Sequence, residues 1–445
     1  MCVILVYLHY RRARVRLGPF FIYKGFFVNF DSFSFSPQIN AGILAAGYTT
    51  PTPIQLRTIP SVLEGRDVLG LAQTGTGKTA AFALPILQHL QGGPKGKPRA
   101  LIISPTRELA EQTHLVISTF GKRVNLRSMT IYGGVGAQPQ IAQLRAGVEI
   151  VVACPGRLLD LMGQRVIDLR NIQVVVLDEA DEMFDMGFLP SIRRILAALP
   201  TPRQTLMWSA TMPPEIRSLA NEMLHDPVVV EISPSRPVES VSHALYPVNQ
   251  DQKSEMLLNL VRNTGSGPVL VFTRTKHRAK RLAEQLTRAG ISAADLQGNL
   301  SQNRRQAALD GFRNGRIRVL VATDIAARGL DVSCITHVIN FDMPDTADAY
   351  THRIGRTGRM AERGAAFTLV TGDDLPMVHT LERLLGKPIE RRKVDGFETI
   401  AIASTNILPA RRPIAAVASR LPASPARAER PSAWQHFGGQ AHSKR

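Results

Sequence analysis

The chain has 445 residues, of which 44% are hydrophobic and 6% aromatic. This length exceeds that of a typical single core and predicts two or three domains with tails. The formal net charge of +18 indicates a polyanionic partner, with nucleic acid favoured over a membrane surface. No run of about 20 apolar residues occurs, so we expect no membrane span. The three cysteines form no CxxC pair, which argues against a disulfide framework and favours a reducing, cytoplasmic location.

The first 29 residues have an unusual order of composition. An apolar run is followed by the basic run RRARVR and then by an aromatic run. A secretory signal carries its charge before its apolar run, so this segment is a poor match. We expect residues 1–29 to be an atypical extension outside the folded unit, from an over-extended start. An interfacial membrane anchor is the alternative interpretation.

Residues 30–232 alternate short apolar runs with helical segments. The runs are rich in Val, Ile and Leu and lie at 67–73, 100–104, 149–154, 174–178 and 205–210. Continuous apolar runs of this length are typical of strands buried on both faces of a parallel sheet. We therefore predict a first α/β lobe over this range.

The alternation restarts after residues 233–240, which contain two prolines and are predicted to be a linker. Further apolar runs lie at 243–248, 268–275, 317–324, 337–342 and 365–371. They predict a second α/β lobe over residues 241–386. Residues 387–445 are predicted to form a basic tail that is mostly disordered, because Ala, Pro, Ser and Arg cannot bury a core. Its part from residue 411 to residue 445 is expected to add salt-sensitive, non-specific nucleic-acid affinity, with a solvated tail of no function as the alternative.

The sequence AQTGTGKT follows the first apolar run and precedes a helical segment, as a phosphate-binding loop requires. Its glycines allow backbone N–H groups to face phosphates, and the helix N-terminus adds partial positive charge. Lys78 can reach the β- and γ-phosphates, and the Thr79 hydroxyl can bind Mg²⁺. A Gly-rich turn without a ligand is the alternative. The predicted ATP-binding residues of this loop are Ala72, Gln73, Thr74, Gly75, Thr76, Gly77, Lys78 and Thr79.

A second motif, DEAD, follows the apolar run VVVL at 174–177. Asp178 is placed to hold Mg²⁺, partly through water, and Glu179 is placed to orient the attacking water. An acidic helix start that is stabilised by the helix dipole is the alternative.

The DEAD tetrad at 178–181 resembles the DEAD-box RNA helicases, and further family signatures occur in the same order over residues 30–400. Residues 389–398 make the chain most similar to the bacterial RhlE-type subgroup. The resemblance implies two tandem RecA-like lobes with parallel sheets, and an ATP-dependent RNA helicase that needs ATP and Mg²⁺.

The resemblance also implies roles for residues of the first lobe. Gln55 would read adenine through its amide, and Phe30 would stack on the base unless it is a core aromatic. Cys154 stands where the family usually has Thr. The implied RNA contacts are Pro105, Thr106, Arg107, Gly134 and Arg157, with structural salt bridges as the alternative for both arginines. The implied coupling residues are Asp181, Ser209, Ala210, Thr211 and His352, with simple capping as the alternative for residues 209–211.

In the second lobe, the resemblance implies that Asp331 contacts the ribose. Arg356 and Arg359, three residues apart, suit arginine fingers that stabilise charge on the γ-phosphate. A solvated basic face is the alternative. The implied RNA contacts of this lobe are Arg274, Gln297 and Thr323.

These assignments divide one hydrolytic site between two lobes, so RNA that spans both lobes is expected to stimulate hydrolysis by favouring closure. We expect local duplex unwinding with little sequence preference, because phosphate and 2′-OH contacts carry little sequence information. A DNA translocase and an ATP-independent RNA annealing or binding protein remain the alternatives. The chain is expected to act as a monomer, and ribosomal or mRNA-decay assemblies would fit as partners.

Overall fold

The computed structural model describes residues 29–73, 75–232, 241–327, 335–358 and 364–397. The predicted N-terminal extension up to residue 28, the linker at 233–240 and the tail from residue 398 lie outside these ranges. Within them, no helix is both long and apolar enough to cross a membrane.

The first lobe is a seven-stranded parallel sheet between helices. Its strands are β1 Val68–Leu71, β2 Ala100–Ile103, β3 Ser128–Ile131, β4 Ile150–Ala153, β5 Val174–Leu177, β6 Gln204–Ser209 and β7 Val228–Glu231. Its helices are α1 Pro37–Ala45, α2 Pro53–Leu63, α3 Lys78–Leu90, α4 Arg107–Gly121, α5 Ala137–Ala146, α6 Pro155–Gly163, α7 Ala180–Asp185, α8 Leu189–Ala197 and α9 Pro214–Met223.

The second lobe is another seven-stranded parallel sheet. Its strands are β8 Val241–Pro247, β9 Val269–Phe272, β10 Ala293–Leu296, β11 Val319–Ala322, β12 His337–Asn340, β13 Gly364–Val370 and β14 Glu390–Arg391. Its helices are α10 Lys253–Asn263, α11 Lys276–Arg288, α12 Gln302–Arg313, α13 Asp324–Ala327, α14 Ala347–Ile354 and α15 Leu375–Leu385.

The two sheets have the same strand order. The first runs β3-β4-β2-β5-β6-β1-β7 and the second runs β10-β11-β9-β12-β13-β8-β14. Each strand of the second sheet thus takes the place of the strand seven earlier in the chain. The predicted α/β architecture of two tandem parallel-sheet lobes is confirmed.

Alternating side chains of the central strands enter two cores, one on each face of the sheet. In β5, Val174 and Val176 join one hydrophobic cluster, whereas Val175 and Leu177 join the other. Strand β9 divides its side chains in the same way. Burial on both faces explains why these strands have continuous apolar sequences.

Ordered structure continues beyond residue 386, where the predicted second lobe ended. Strand β14 pairs with β8, and Val394 and Phe397 pack against the core cluster of the second lobe. The apolar pattern fails here because β14 is a two-residue edge strand with partly exposed side chains. The second lobe therefore extends at least to residue 397.

Trp208 in β6 is fully buried between neighbouring elements of the first lobe. Its ring packs against Phe82 of α3 with 6.1 Å between the ring centroids. On the adjacent strand β1, a Cβ atom added to Gly70 would lie 2.2 Å from two atoms of the indole ring. Gly70 thus provides the space that the large aromatic side chain occupies.

The substitution Gly70→Ala is expected to lower the free energy of unfolding by about 1–3 kcal/mol, because the added methyl group overpacks the core. Urea unfolding followed by circular dichroism measures this change. In a Trp208→Phe background the same substitution is expected to cost less, since the overlapping ring atoms Cε3 and Cζ3 are gone. Equal costs in the two backgrounds would contradict the contact.

Candidate active site

The predicted phosphate loop connects β1 to α3. Gly77 has φ of 95°, a left-handed conformation that glycine adopts without steric cost. Lys78 is the first residue of α3 and is buried. The side-chain amide of Gln55 donates to the Gly77 carbonyl at 3.1 Å and accepts from the Thr52 N–H at 2.9 Å. Gln55 therefore lies against the loop. Thr74 lies outside the described residues.

The predicted acidic pair lies directly after β5 and faces this loop. The Lys78 Nζ atom is 3.9 Å from Glu179 Oε1, and both side chains are only 5% exposed. Burial raises the pKa of Asp178 to about 7, the Lys78 ammonium opposes this rise, and the Glu179 carboxylate adds to it. A buried carboxyl group with a raised pKa lacks sufficient positive charge around it.

Three buried atoms of this cluster lack a hydrogen-bond partner among the described residues. They are Lys78 Nζ, Asp178 Oδ1 and Glu179 Oε2. Buried polar groups in native proteins are nearly always paired, and exceptions point to a ligand, an ion or a catalytic role. One ammonium group and two carboxylates, each with an atom available for a further bond, fit a triphosphate that carries a divalent metal ion.

The predicted coupling residues lie together. Asp181 Oδ2 accepts hydrogen bonds from the backbone N–H groups of Ala210 and Thr211, at 3.1 and 2.8 Å, and from the Thr211 hydroxyl. The Ser209 hydroxyl accepts from the Asp181 N–H and donates to the Thr211 carbonyl. His352 Nε2, from the second lobe, is 3.9 Å from Asp181 Oδ2. This cluster joins β6 and α7 of lobe one to α14 of lobe two.

The lobes also meet through Arg356, which follows α14. Its Nη2 atom is 3.4 Å from Glu182 Oε1 in α7, and both side chains are buried. A cavity at this boundary is lined by residues of both lobes, among them Lys78, Glu179, Glu182, His352 and Arg356. Arg356 therefore lies in the same cavity as the phosphate-loop lysine. Arg359 and Asp331 lie outside the described residues.

Arg353, three residues before Arg356, has a different environment. Its guanidinium donates to both carboxylate oxygens of Asp324 and to the Asn340 side chain and Asp342 carbonyl. These contacts join α13, α14 and β12 within the second lobe. They fix the helix that carries His352 and leads to Arg356.

The predicted RNA-contacting residues follow equivalent strands in the two lobes. In the first lobe, they come after β2, β3 and β4, and in the second after β9, β10 and β11. Because the strands are parallel, their carboxyl ends lie at one edge of each sheet. In lobe one, the phosphate loop instead follows β1, the acidic pair follows β5 and the coupling residues 209–211 follow β6, while in lobe two Arg356 follows β12. In lobe one, topology thus separates the predicted RNA contacts from these residues along the sheet edge.

Several of these residues already have protein partners. The Arg107 guanidinium donates to Gln302 Oε1 of lobe two at 2.9 Å, and Arg157 donates to the Val135 carbonyl at 3.0 Å. Thr106 accepts from the Leu109 N–H and caps α4. Arg274 lies 3.2 Å from Asp345. The Gln297 side chain forms hydrogen bonds with Asp295 and Asn299. The Thr323 carbonyl accepts hydrogen bonds from N–H groups of α13, so Thr323 lies at the start of this helix.

Phe30 is 4% exposed and belongs to the hydrophobic core of the first lobe. Its ring lies edge-on to Phe33 and Tyr48, with ring centroids about 6 Å apart. Stacking on a base from this position would need a change in its packing.

Comparison with known proteins identifies the family. A DEAD/DEAH box helicase model matches residues 52–219, and a helicase conserved C-terminal domain model matches residues 252–361. The ATP-dependent RNA helicase RhlB of Pseudomonas syringae pv. tomato is 42% identical over 370 residues, which cover 81% of this chain and 93% of that protein. The chain is a DEAD-box ATP-dependent RNA helicase.

Other matches agree with this assignment. The RNA helicase CrhR of Synechocystis sp. is 44% identical over 346 residues, covering 77% of this chain and 70% of CrhR. The structure of S. cerevisiae Dbp5 bound to RNA and ADP BeF3 matches with a TM-score of 0.72 and 30% identity, covering 82% of this chain and 95% of Dbp5. The predicted RecA-like fold, ATPase activity and RNA helicase activity are confirmed, whereas the RhlE-type subgroup stays a prediction.

The helicase contains contacts that its motifs did not predict. Arg305 of α12 forms a salt bridge with Glu108 of α4 at 2.6 Å, and both side chains are largely buried. Glu108 follows Arg107 directly and Arg305 lies three residues after Gln302, so two adjacent contacts join the lobes. Glu182 was also missed. These residues are recognised because their charges are buried, and burial cannot be read from a sequence pattern.

Cys154 is the N-cap of α6 and makes no side-chain capping bond. Burial raises the pKa of its thiol to about 12, so the group stays neutral. Its backbone is in the extended conformation that an N-cap residue adopts. The geometry therefore suits a hydroxyl residue, although a thiol occupies the position.

The substitution Cys154→Thr is expected to stabilise the first lobe by about 0.5–1 kcal/mol, because a threonine hydroxyl can accept the Arg157 N–H. Thermal unfolding measures this change, with Cys154→Ala as the control that offers no acceptor. A Thr variant that melts no higher than the Ala variant would contradict the capping argument.

Proposed function

We propose that the helicase hydrolyses Mg²⁺-bound ATP in the cavity between its lobes. Lys78 would bind the β- and γ-phosphates, Thr79 and Asp178 would hold Mg²⁺, and Glu179 would orient the attacking water. Bound Mg²⁺ would neutralise the charge on the phosphate oxygens. The supporting observation is that buried atoms of Lys78, Asp178 and Glu179 have no hydrogen-bond partner within the part of the chain that the structure describes.

Lobe two completes this site in the proposal. Arg356 and Arg359 stabilise the negative charge that develops on the γ-phosphate, and Asp331 holds the ribose. Gln55 and Phe30 recognise adenine from lobe one. The position of Arg356 in the cavity with Lys78 supports this division.

The Asp181 cluster is proposed to couple hydrolysis to RNA. Asp181 lies two residues after Glu179, and its carboxylate contacts residues 209–211 and faces His352. A change around the γ-phosphate would alter these bonds and so alter how the lobes are held together.

We propose that the substrate is duplex RNA, which the helicase recognises with little sequence preference. The RNA would bind across both lobes, along the sheet edges that carry the predicted RNA contacts. Closure would bend one strand and open the duplex locally. Contacts to phosphate and 2′-OH would exclude DNA and give weak base selectivity. A monomer acting in the cytoplasm, within ribosomal or mRNA-decay assemblies, agrees with this proposal.

The substitution Lys78→Ala is expected to lower RNA-stimulated ATP hydrolysis at least about 100-fold, because it removes a positioned charge from the phosphates. Phosphate release under saturating RNA measures this loss. Lys122→Ala, an exposed lysine near the amino end of β3, is the matched control and should leave the rate unchanged. Near-normal hydrolysis by Lys78→Ala would refute the site.

Single-stranded RNA is expected to stimulate hydrolysis strongly, whereas DNA of the same sequence is not, because only RNA offers the 2′-OH. Titrating each nucleic acid at fixed ATP and salt measures the difference. Equal stimulation by DNA would favour a translocase. Strand annealing that proceeds equally without ATP would favour an RNA-binding role through the basic ends.

A further inference from the structure

Glu182 is a buried acid that the proposed hydrolysis does not use. It lies in the first turn of α7, one residue after the DEAD tetrad. Its Oε1 atom accepts from Arg356 Nη2 at 3.4 Å across the lobe boundary. The side chains are 5% and 6% exposed, respectively. This contact is therefore a buried ion pair between the lobes.

The pair lies beside the proposed phosphate site. Glu182 and Arg356 line the same cavity as Lys78 and Glu179. A buried guanidinium needs a negative partner, since an unpaired buried charge is strongly destabilising. The Glu182 carboxylate meets that need. When ATP is bound, its γ-phosphate would be a second anion in the cavity that Arg356 lines.

Two anions near one guanidinium compete for it. Like charges a few ångströms apart repel each other strongly when water is excluded, so the Glu182 carboxylate opposes a terminal phosphate. The β-phosphate of ADP lies one phosphoryl group further away and should be affected less. Glu182 would then weaken binding of the triphosphate selectively.

We propose that Glu182 is a positioning residue that competes with the γ-phosphate for Arg356. Its carboxylate draws the Arg356 guanidinium away from a bound terminal phosphate, and the preference for ATP over ADP is thereby reduced. This inference rests on the proposed role of Arg356.

The test compares nucleotide affinities of the full-length chain and its Glu182→Gln variant at saturating RNA. Equilibrium titrations use AMP-PNP and ADP, each with Mg²⁺. The variant is expected to bind AMP-PNP about tenfold tighter, because the competing charge is gone. Its ADP affinity is expected to stay within about twofold of the original value, since ADP lacks the terminal phosphate.

Two further variants test the proposal independently of Glu182→Gln. Glu182→Ala also removes the charge and is expected to bind AMP-PNP more tightly in the same selective way. Glu182→Asp keeps the charge and should retain a ratio of AMP-PNP to ADP affinity near that of the original chain. Unchanged ADP affinity also reports that the nucleotide site of each variant is folded.

Glu108→Gln is the matched control, because it breaks a different buried ion pair between the lobes, with Arg305. That pair does not line the nucleotide cavity, so its loss should not increase the preference for AMP-PNP. An equal gain in Glu108→Gln, or no selective gain in Glu182→Gln and Glu182→Ala, would overturn the proposal.

Arg356→Ala separates this inference from the proposed function. A large loss of RNA-stimulated hydrolysis in Arg356→Ala, with unchanged nucleotide preference in Glu182→Gln, would keep the arginine finger and reject the Glu182 role. Near-normal hydrolysis in Arg356→Ala would reject the finger assignment, and the inference built on it would fall with it.

Discussion

Buried charge at the boundary between the lobes is the constraint on which the rest of the structure depends. Lobe one places Lys78, Asp178 and Glu179 at the ends of buried elements, where three of their atoms have no hydrogen bond to any residue that the structure describes. Lobe two brings Arg356 and His352 to the same cavity. Burying such charges is costly unless opposite charges meet them. A charged substrate that offsets this cost therefore favours closure of the lobes around it.

The duplicated fold explains how two sites share one molecule. Both lobes have the same strand order, and parallel strands present loops at one sheet edge. In lobe two, Lys253 starts the helix after β8 as Lys78 does after β1. Lys253 instead donates to the Phe341 carbonyl at 3.1 Å and lies 3.9 Å from Asp374. The equivalent charge is thus satisfied within its own lobe.

Sequence pattern predicted the central strands and missed β3, β7, β10 and β14. Central strands are buried on both faces and require continuous apolar runs, as VVVL in β5 shows. The missed strands lie at the edges of the two sheets, where one side of the backbone is unpaired. Their side chains are partly exposed, so sequences such as SMTI in β3 and AADL in β10 suffice there without a continuous apolar run. Strand β7 reads VVVE, a short apolar run that the pattern analysis overlooked.

The sequence by itself determined the local chemistry, because a phosphate loop needs consecutive residues between a strand and a helix, and AQTGTGKT supplies them. The DEAD tetrad is equally local. Only the tertiary structure decided which charges meet across the boundary. Glu108 and Arg305 are 197 positions apart, and Glu182 and Arg356 are 174 apart. No short-range pattern contains such pairs, since only the packing of one lobe against the other brings them together.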